Sequence, residues 1–178
     1  MKKTMMMAIA ALALTFAACG NKQSEKAGAE APADNSEASY ITYTNEKYGY
    51  SVEVPGNLSK RETLTEDNGT IFSADGTEGI TFNRIDITGA ESMFVDEYTP
   101  EKVKSDFEYW TADKEVFDAE CGDDYFIYTT KGENLTEINR QIFKGNKSLT
   151  VVICYDAEHE KQLSGEVADH VFKSMKFN

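Results

Sequence analysis

The segment YGYSVEVP, residues 48–55, alternates apolar and polar side chains and sets the character of the fold. Every second residue from Tyr48 to Val54 is apolar and points to one face, whereas Ser51 and Glu53 point to the other. This period of two predicts a β-strand with one face on a core, and the proline at its end helps to terminate it.

Further strands are predicted on the carboxyl-terminal side of this segment, separated by turn signals. Asn68-Gly69 and Gly145-Asn146 are typical of tight hairpins, and Gly122-Asp123-Asp124 marks another turn. A change of apolar phase near Arg84 suggests a β-bulge. The strands are expected at residues 70–73, 80–87, 115–121, 125–131, 135–144 and 147–155.

One helix is predicted to begin at Thr99-Pro100-Glu101. Thr99 can cap the helix, Pro100 suits its first position, and Glu101 complements the helix dipole. Residues spaced at i, i+4 and i+7 form one apolar stripe that we expect to be buried, namely Val103, Phe107 and Trp110. Residues 91–98 could extend or precede this helix, and the pattern does not decide between the two.

A second helix is predicted from about residue 157 to residue 173. Its apolar side is Leu163, Val167 and Val171, and Gly165 weakens its middle by about 1 kcal/mol relative to alanine. Hairpin strands separated by one helix and closed by another predict an α+β fold with a mostly antiparallel sheet flanked by helices. Strands 125–128 and 151–155 are apolar in both phases, which predicts central strands covered on both faces.

Two segments of this domain resemble a known fold. Residues 48–55 resemble the "GFSF-x-x-P" strand of the PsbP-like α/β/α sandwich, and residues 167–177 resemble its terminal helix leading into "SFKF". The order of elements between them also matches. The resemblance implies a PsbP-like sandwich over residues 40–178. Because the members include a photosystem II subunit and a Ran-binding import factor, it also implies a binding or assembly function rather than catalysis.

The amino terminus resembles the signal peptide of a bacterial lipoprotein. Lys2 and Lys3 precede an uncharged run of fourteen residues, too short for a bilayer core that needs about twenty. Ala17-Ala18 before Cys19 resembles a lipobox. The resemblance implies that residues 1–18 are removed and that Cys19 carries lipid such as palmitate. An ordinary secretory signal with an incidental Cys19 is the alternative.

The resemblance also implies a location in the cell envelope. Gly20 is not the aspartate that retains lipoproteins in the inner membrane, so in a Gram-negative cell we expect the outer membrane. Residues 21–25 lack a clear acidic cluster, which favours a periplasm-facing position over surface display. Residues 20–39 contain no aromatic or branched aliphatic side chain, so 19–39 is predicted to be a lipidated cysteine followed by a flexible linker.

The charge of the chain excludes one class of partner. Removing Lys2 and Lys3 with the signal peptide changes the formal net charge from −13 to −15. Such a charge argues against nucleic acid and against electrostatic docking on anionic lipid. A well-solvated surface explains the charge most simply, and a cationic partner or divalent cation remains an alternative.

Cys121 and Cys154 remain once Cys19 is lipidated. Both lie in predicted strands of an exported protein, where a disulfide is permitted. Two buried thiols are the alternative. Their role is structural under both readings, since they are not a CxxC pair.

The search for catalytic or metal-binding motifs gives no candidate active site. HEKQL at 159–163 begins like the zinc motif HExxH, but Leu163 stands where the second histidine is required. His170 lies one turn after Glu166, a spacing typical of a surface helix contact. No P-loop or GxSxG is present. We therefore expect no enzyme, no cofactor and no metal.

Two weaker patterns concern ligands. Carboxylates at 67–69, 75–78 and 118–124 could bind calcium, but none has EF-hand spacing, and turn formation explains them. Tyr98, Tyr109 and Trp110 could line a ligand groove, although packing of a helix on the sheet is the favoured interpretation. The expected function is a membrane-anchored binding or assembly module that acts through an envelope protein. The alternative is a small-molecule or cation-binding lipoprotein with a groove beside the sheet.

Overall fold

The computed structural model describes residues 39–61, 67–74 and 82–178. The predicted signal peptide, the lipidation site Cys19 and the linker through residue 38 lie outside this range. The elements in chain order are β1 Tyr40–Asn45, β2 Tyr50–Pro55, β3 Ser59–Arg61, β4 Gly69–Ser73, β5 Arg84–Glu91, α1 Pro100–Thr111, β6 Val116–Cys121, β7 Tyr125–Lys131, β8 Thr136–Lys144, β9 Lys147–Tyr155, α2 Glu160–Leu163, α3 Glu166–Ser174 and β10 Lys176–Phe177.

The strands form two antiparallel sheets. The large sheet has the order β3-β4-β5-β9-β8-β7-β6, and the small sheet has the order β1-β2-β10. All of the strand pairs are antiparallel. The predicted α+β fold with a mostly antiparallel sheet is therefore confirmed.

The larger core lies between the two sheets, where the small sheet and helices α2 and α3 cover one face of the large sheet. β2 supplies its centre, because Tyr50, Val52 and Val54 are fully buried. The strand predicted over 48–55 begins at Tyr50, since Tyr48 and Gly49 lie in the turn before it and Gly49 has φ of 68°. The three buried residues of β2 pack with buried residues of β4, β5 and β9 such as Phe72, Ile87 and Val151. The apolar phase that the sequence indicated is thus the core phase.

A smaller core lies on the opposite face of the large sheet, beneath α1. Val103 of α1 is fully buried and packs with Phe126, Tyr128 and Phe143 of β7 and β8. The helix begins as predicted, since the Lys102 amide donates to Thr99 Oγ1 at 3.4 Å and Pro100 is the first helical residue. The prediction that Trp110 belongs to the buried stripe is wrong, because its side chain is 50 % exposed.

The hairpin between β8 and β9 forms as predicted. Gly145 has φ of 60°, and Lys144 pairs directly with Lys147 across the turn. Asn68-Gly69 does not form the predicted tight turn, because Gly69 is the first residue of β4 and the connection from β3 spans residues 62–68. Residues 80 and 81 of the predicted strand 80–87 lie outside the described residues, and the observed strand runs from Arg84 to Glu91.

The predicted helix 157–173 is two helices. α2 ends at Leu163, and α3 begins at Glu166 after Gly165, whose φ of 56° and ψ of −125° are not helical. Leu163 and Val171 are nevertheless both fully buried in the larger core. In the described part of the chain, none of the helices is both long and apolar enough to cross a membrane.

Candidate protein-docking surface

The 92–98 loop, residues 92–98 between β5 and α1, is held firmly against the β8–β9 turn. The Ser92 amide donates to Asn146 O and the Tyr98 amide donates to Gly145 O, both at 2.8 Å. Asn146 Nδ2 donates in return to Ser92 O at 3.3 Å and to Glu91 Oε1 at 3.1 Å. Both ends of the loop are thus fixed to the same two-residue turn.

Ser92 also orders the first turn of the loop from within. Its Oγ accepts hydrogen bonds from the amides of Phe94 at 3.2 Å and Val95 at 3.1 Å. This local side-chain capping satisfies amides that otherwise need water. Hydrogen bonds therefore position the backbone at 93–95.

Met93 and Phe94 project from this fixed backbone into solvent. Met93 is 89 % exposed and Phe94 is 93 % exposed. Burying one such side chain in a partner contributes about 1.5–3 kcal/mol, and the preorganised backbone lowers the ordering entropy that binding would cost. An adjacent, ordered and exposed Met–Phe pair is therefore suited to bind an apolar pocket.

The surroundings of this pair are acidic. Glu91, Asp96 and Glu97 flank it and are all exposed. Carboxylates at the rim attract a cationic surface and repel an anionic one. The loop thus combines an apolar tip with a negative border.

A second polar feature lies on the α1 side of the large sheet. Arg84 Nε donates to both carboxylate oxygens of Asp86, at 3.0 and 2.9 Å. On β8, Asn139 Nδ2 donates to Glu137 Oε1 at 2.6 Å, and Lys114 Nζ lies 3.9 Å from the same oxygen. Two ion pairs therefore lie on this face, one on β5 and one between Lys114 and β8.

Burial alters the titration of this polar cluster. It raises the pKa of Asp86, although the Arg84 guanidinium beside it acts in the opposite direction. Burial also raises the pKa of the Cys154 thiol to about 12. Raised pKa values mark candidate ligand sites, but each of these carboxylates already faces a cation.

Cys121 and Cys154 lie on different strands with two others between them. Cys121 is an exposed free thiol on the edge strand β6, and Cys154 is a buried free thiol on β9. β6 and β9 are separated by three strand spacings of about 4.8 Å each. This separation is larger than the Cα–Cα distance of about 7 Å beyond which a disulfide cannot form. The disulfide that the sequence permitted is therefore not formed. The alternative of two buried thiols holds for Cys154 only, because Cys121 is exposed.

Both histidines bind carboxylates rather than converging on one site. His159 Nδ1 lies 2.9 Å from Asp156 Oδ1, and His170 Nε2 lies 2.7 Å from Glu53 Oε2. The expected contact of His170 with Glu166 is replaced by this pairing with β2. Within 39–61, 67–74 and 82–178, no three His, Cys, Asp or Glu side chains are grouped to hold a metal ion; the calcium candidates at 75–78 lie outside those residues.

Ser174 lies one helical turn after His170, and its hydroxyl is hydrogen-bonded to backbone groups rather than to that histidine. Ser174 Oγ donates to Val171 O at 2.6 Å and accepts from the Glu53 amide at 2.8 Å. The hydroxyl therefore joins the end of α3 to β2. Its contacts are those of a structural tie between two elements.

The predicted aromatic set does not form a groove. Tyr98 packs against Phe143 with ring centroids 4.5 Å apart and the rings tilted by 42°, whereas Tyr109 is 77 % exposed and contacts Trp110 edge-on. The favoured core-packing interpretation holds for Tyr98 only. Met93 and Phe94 were not predicted from the sequence as functional residues, because the pattern left open whether residues 91–98 belong to the helix. The available signal was an apolar pair bordered by acidic residues.

Comparison with known proteins bears on the fold. No protein-family model and no curated protein sequence matches the chain. The solution structure of cyanobacterial PsbP (CyanoP) from Synechocystis sp. PCC 6803 is similar, with a TM-score of 0.55, 14 % identity, and coverage of 82 % of this chain and 96 % of that one.

Two other structures are less similar. A Bacteroides thetaiotaomicron crystal structure has a TM-score of 0.50 and 11 % identity, covering 77 % of this chain and 48 % of that one. The Saccharomyces cerevisiae Ran-binding protein Mog1p has a TM-score of 0.48 and 10 % identity, with 79 % and 96 % coverage. The likeness to CyanoP, together with the two antiparallel sheets, shows that the domain has a PsbP-like fold.

Proposed function

We propose that this protein is a lipid-anchored, non-enzymatic binding module of the cell envelope that acts through a protein partner. The ordered, exposed pair Met93 and Phe94 carries this proposal. A fixed loop that presents two large apolar side chains gains free energy only when a second surface covers them.

The partner's contact surface is an apolar pocket bordered by lysine or arginine. Met93 and Phe94 supply the apolar knob, and Glu91, Asp96 and Glu97 supply the complementary charge. Insertion of the pair into a bilayer is disfavoured by those carboxylates, because anionic lipid headgroups repel them. The net charge of −13 likewise disfavours nucleic acid.

The lipid anchor is the second component of the proposal. The lipobox-like sequence ending at Cys19 supports a lipid on that thiol, in the outer membrane facing the periplasm if the cell is Gram-negative. Cys19→Ala should abolish incorporation of a labelled fatty acid and shift the protein from the membrane fraction to the soluble fraction. Unchanged labelling would contradict the anchor and leave the docking surface untouched.

Site-specific photocrosslinking in cells tests the docking surface. A photoreactive phenylalanine analogue at position 94 of the full-length chain should give one discrete adduct, identified by mass spectrometry. The adduct should be lost when Met93→Ser is added, because half of the apolar contact is removed.

The matched control places the same analogue at Phe117. This aromatic residue is 57 % exposed on β6, where the register puts it near Thr130, at the end of the sheet away from the β8–β9 turn. Adducts of equal yield at 94 and 117, or none at 94, would contradict the proposal.

A small polar molecule bound on the α1 side of the sheet is the second candidate function. The ion pair of Arg84 and Asp86 favours it, because its two hydrogen bonds of 3.0 and 2.9 Å lie on a partly buried face where burial raises the pKa of the carboxyl against the effect of Arg84. A ligand of this kind, found by thermal-shift screening, should lose its stabilising effect in Asp86→Asn but keep it in Asp96→Asn. Equal shifts in the two variants would contradict a site at Asp86.

A further inference from the structure

β1 is an edge strand without the features that usually protect such edges. Among the described strands it pairs with β2 alone. Its sequence YITYTN has no charge and no proline, and its six residue pairs run in register without a bulge. Edge strands with these properties accept additional strands.

The two edge strands of the large sheet differ from β1, which is an edge of the small sheet. β6 carries Asp118 and Glu120, and its register shifts between Val116 and Asp118. β3 is only three residues long. β10, the other edge of the small sheet, has two residues. Charges, irregularities and short length are the features that discourage strand pairing, so among the described edge strands β1 is the unprotected one.

The hydrogen-bond parity of β1 identifies its unpaired groups. The Gly56 amide donates to Ser39 O at 2.7 Å, so residues of the same parity, such as Ile41 and Tyr43, direct their backbone groups toward β2. Thr42 and Thr44 therefore direct their N–H and C=O groups away from β2. Their side chains are exposed as well.

A cavity of about 560 Å³ adjoins the carboxyl-terminal half of this edge. Tyr43, Thr44 and Asn45 of β1 line one part of it, and Lys60 and Thr70 of β3 and β4 line another. An added strand would lie about 4.8 Å from β1. The cavity thus provides space beside the unpaired backbone groups.

The wall of this cavity carries several cations. Lys47, Lys60 and Arg61 line it together with Glu46 and Asp67, in a chain whose formal net charge is −13. Lys60 Nζ is held 5.3 Å from the centre of the Tyr43 ring. A segment with carboxylate side chains at alternate positions complements this wall better than a basic one.

We propose that β1 binds an extended, acidic segment of a partner protein by strand addition, through the backbone of Thr42 and Thr44 and the cavity bounded by Lys60. The inference rests on the proposed function as a protein-binding module, but it uses a surface different from the 92–98 loop. Backbone pairing would supply affinity, and the lysine-bearing wall would select the side chains.

Thr42→Pro tests this mode of binding. Proline removes an N–H that points away from β2, so the β1–β2 ladder keeps its bonds, and proline is tolerated on strand edges. Random twelve-residue peptides displayed on phage are selected against the full-length protein. We expect enriched sequences that alternate acidic with β-branched or aromatic residues, and binding to Thr42→Pro about tenfold weaker than to wild type.

Thr42→Val is the matched control, because it changes the side chain and retains the backbone donor. It should bind the selected peptides as wild type does. Hydrogen exchange gives a readout that does not depend on folding of the proline variant: the peptide should slow exchange at Thr42 and Thr44 and leave exchange along β6 unchanged.

Three results would overturn the inference. They are absence of enrichment, equal slowing along β1 and β6, and a concentration-dependent dimer that forms through β1 and would make a second copy the occupant. Crosslinking at position 94 is measured in the same Thr42→Pro chain. If the position-94 adduct still forms while peptide binding is lost, the variant has lost the β1 site but retains the proposed protein-binding function.

Discussion

At the scale of single residues, Gly89 shows how closely the two sheets approach. A Cβ at Gly89 would lie 2.4 Å from Cε1 and 2.8 Å from Cδ1 of Tyr50. Tyr50 is fully buried, and its hydroxyl donates to Asn68 O at 2.7 Å. The ring cannot move away without losing that bond, so β5 requires glycine opposite β2.

Gly89→Ala should therefore lower the free energy of unfolding by about 1–3 kcal/mol, the usual cost of overpacking a core. Urea unfolding followed by circular dichroism measures the change. Gly132→Ala is the matched control, because a Cβ there meets nothing nearer than Leu135 O at 3.7 Å. A Gly89→Ala protein as stable as the control would contradict the close approach.

Asp156 links the end of β9 to the segment before β5. Its Oδ2 accepts from Asn83 Nδ2 at 3.0 Å, and Asn83 Oδ1 accepts from the Asp156 amide at 2.8 Å. The hydrogen bond from Asn83, followed by that from His159, lowers the pKa of this carboxyl well below its usual value of 3.8.

A lowered pKa in the folded state contributes stability above the unfolded pKa and loses it as the pH falls. Wild-type protein should thus lose more stability between pH 6 and pH 3 than Asp156→Asn, whose side chain does not titrate. Urea midpoints at the two pH values measure the difference. Equal losses of stability in the two proteins would contradict a lowered pKa of Asp156 in the folded state.

At the scale of elements, the break between α2 and α3 depends on one backbone conformation. Gly165 has φ of 56°, and a Cβ there would meet nothing within 4 Å. The cost of a side chain at this position is therefore backbone strain alone.

Gly165→Ala should destabilise the protein by about 1–3 kcal/mol, since alanine must adopt a strained conformation. A continuous helix over 157–173 would give the opposite sign, with alanine stabilising by about 1 kcal/mol. Thermal unfolding of the full chain decides between them. A raised midpoint would contradict the break.

Local patterns predicted those elements whose determinants lie within a few residues. The alternation within 50–55, the Thr99 cap and the Gly145 turn are such cases, and each is confirmed. The pairing of β5 with β9 joins residues far apart in the chain, for example Ile85 with Ile153, and no local pattern encodes it.

The candidate docking surface was not predicted for a related reason. The acidic residues around Met93 and Phe94 were a signal in the sequence, but an apolar pair by itself does not distinguish a core from a surface. The exposure of this pair is decided by hydrogen bonds from the loop to Asn146 and Gly145, about fifty residues later. The edge character of β1 likewise follows from the strand order rather than from its composition.

At the scale of the whole molecule, the two cores share one sheet. β7 and β8 supply Phe126 and Phe143 to the smaller core on one face, whereas Ile127 and Ile142 pack against the larger core on the other. Loss of either core would expose the opposite face of the same strands. Unfolding should therefore be a single cooperative transition.

Trp110 provides the measurement for this prediction. It is the single tryptophan of the chain and lies on α1. Its fluorescence should change at the same urea concentration as the far-ultraviolet circular dichroism of the sheets. A fluorescence transition at lower urea would show that α1 detaches before the sheets unfold.

The entry point of the chain has a mechanical consequence. Any tension on the polypeptide before Ser39 is applied at Tyr40, the first residue of β1, whose ring stacks 3.6 Å from that of His170. His170 is in turn bonded to Glu53 on β2. Tension would thus peel β1 from β2 one pair at a time, beginning at Tyr40 and Pro55.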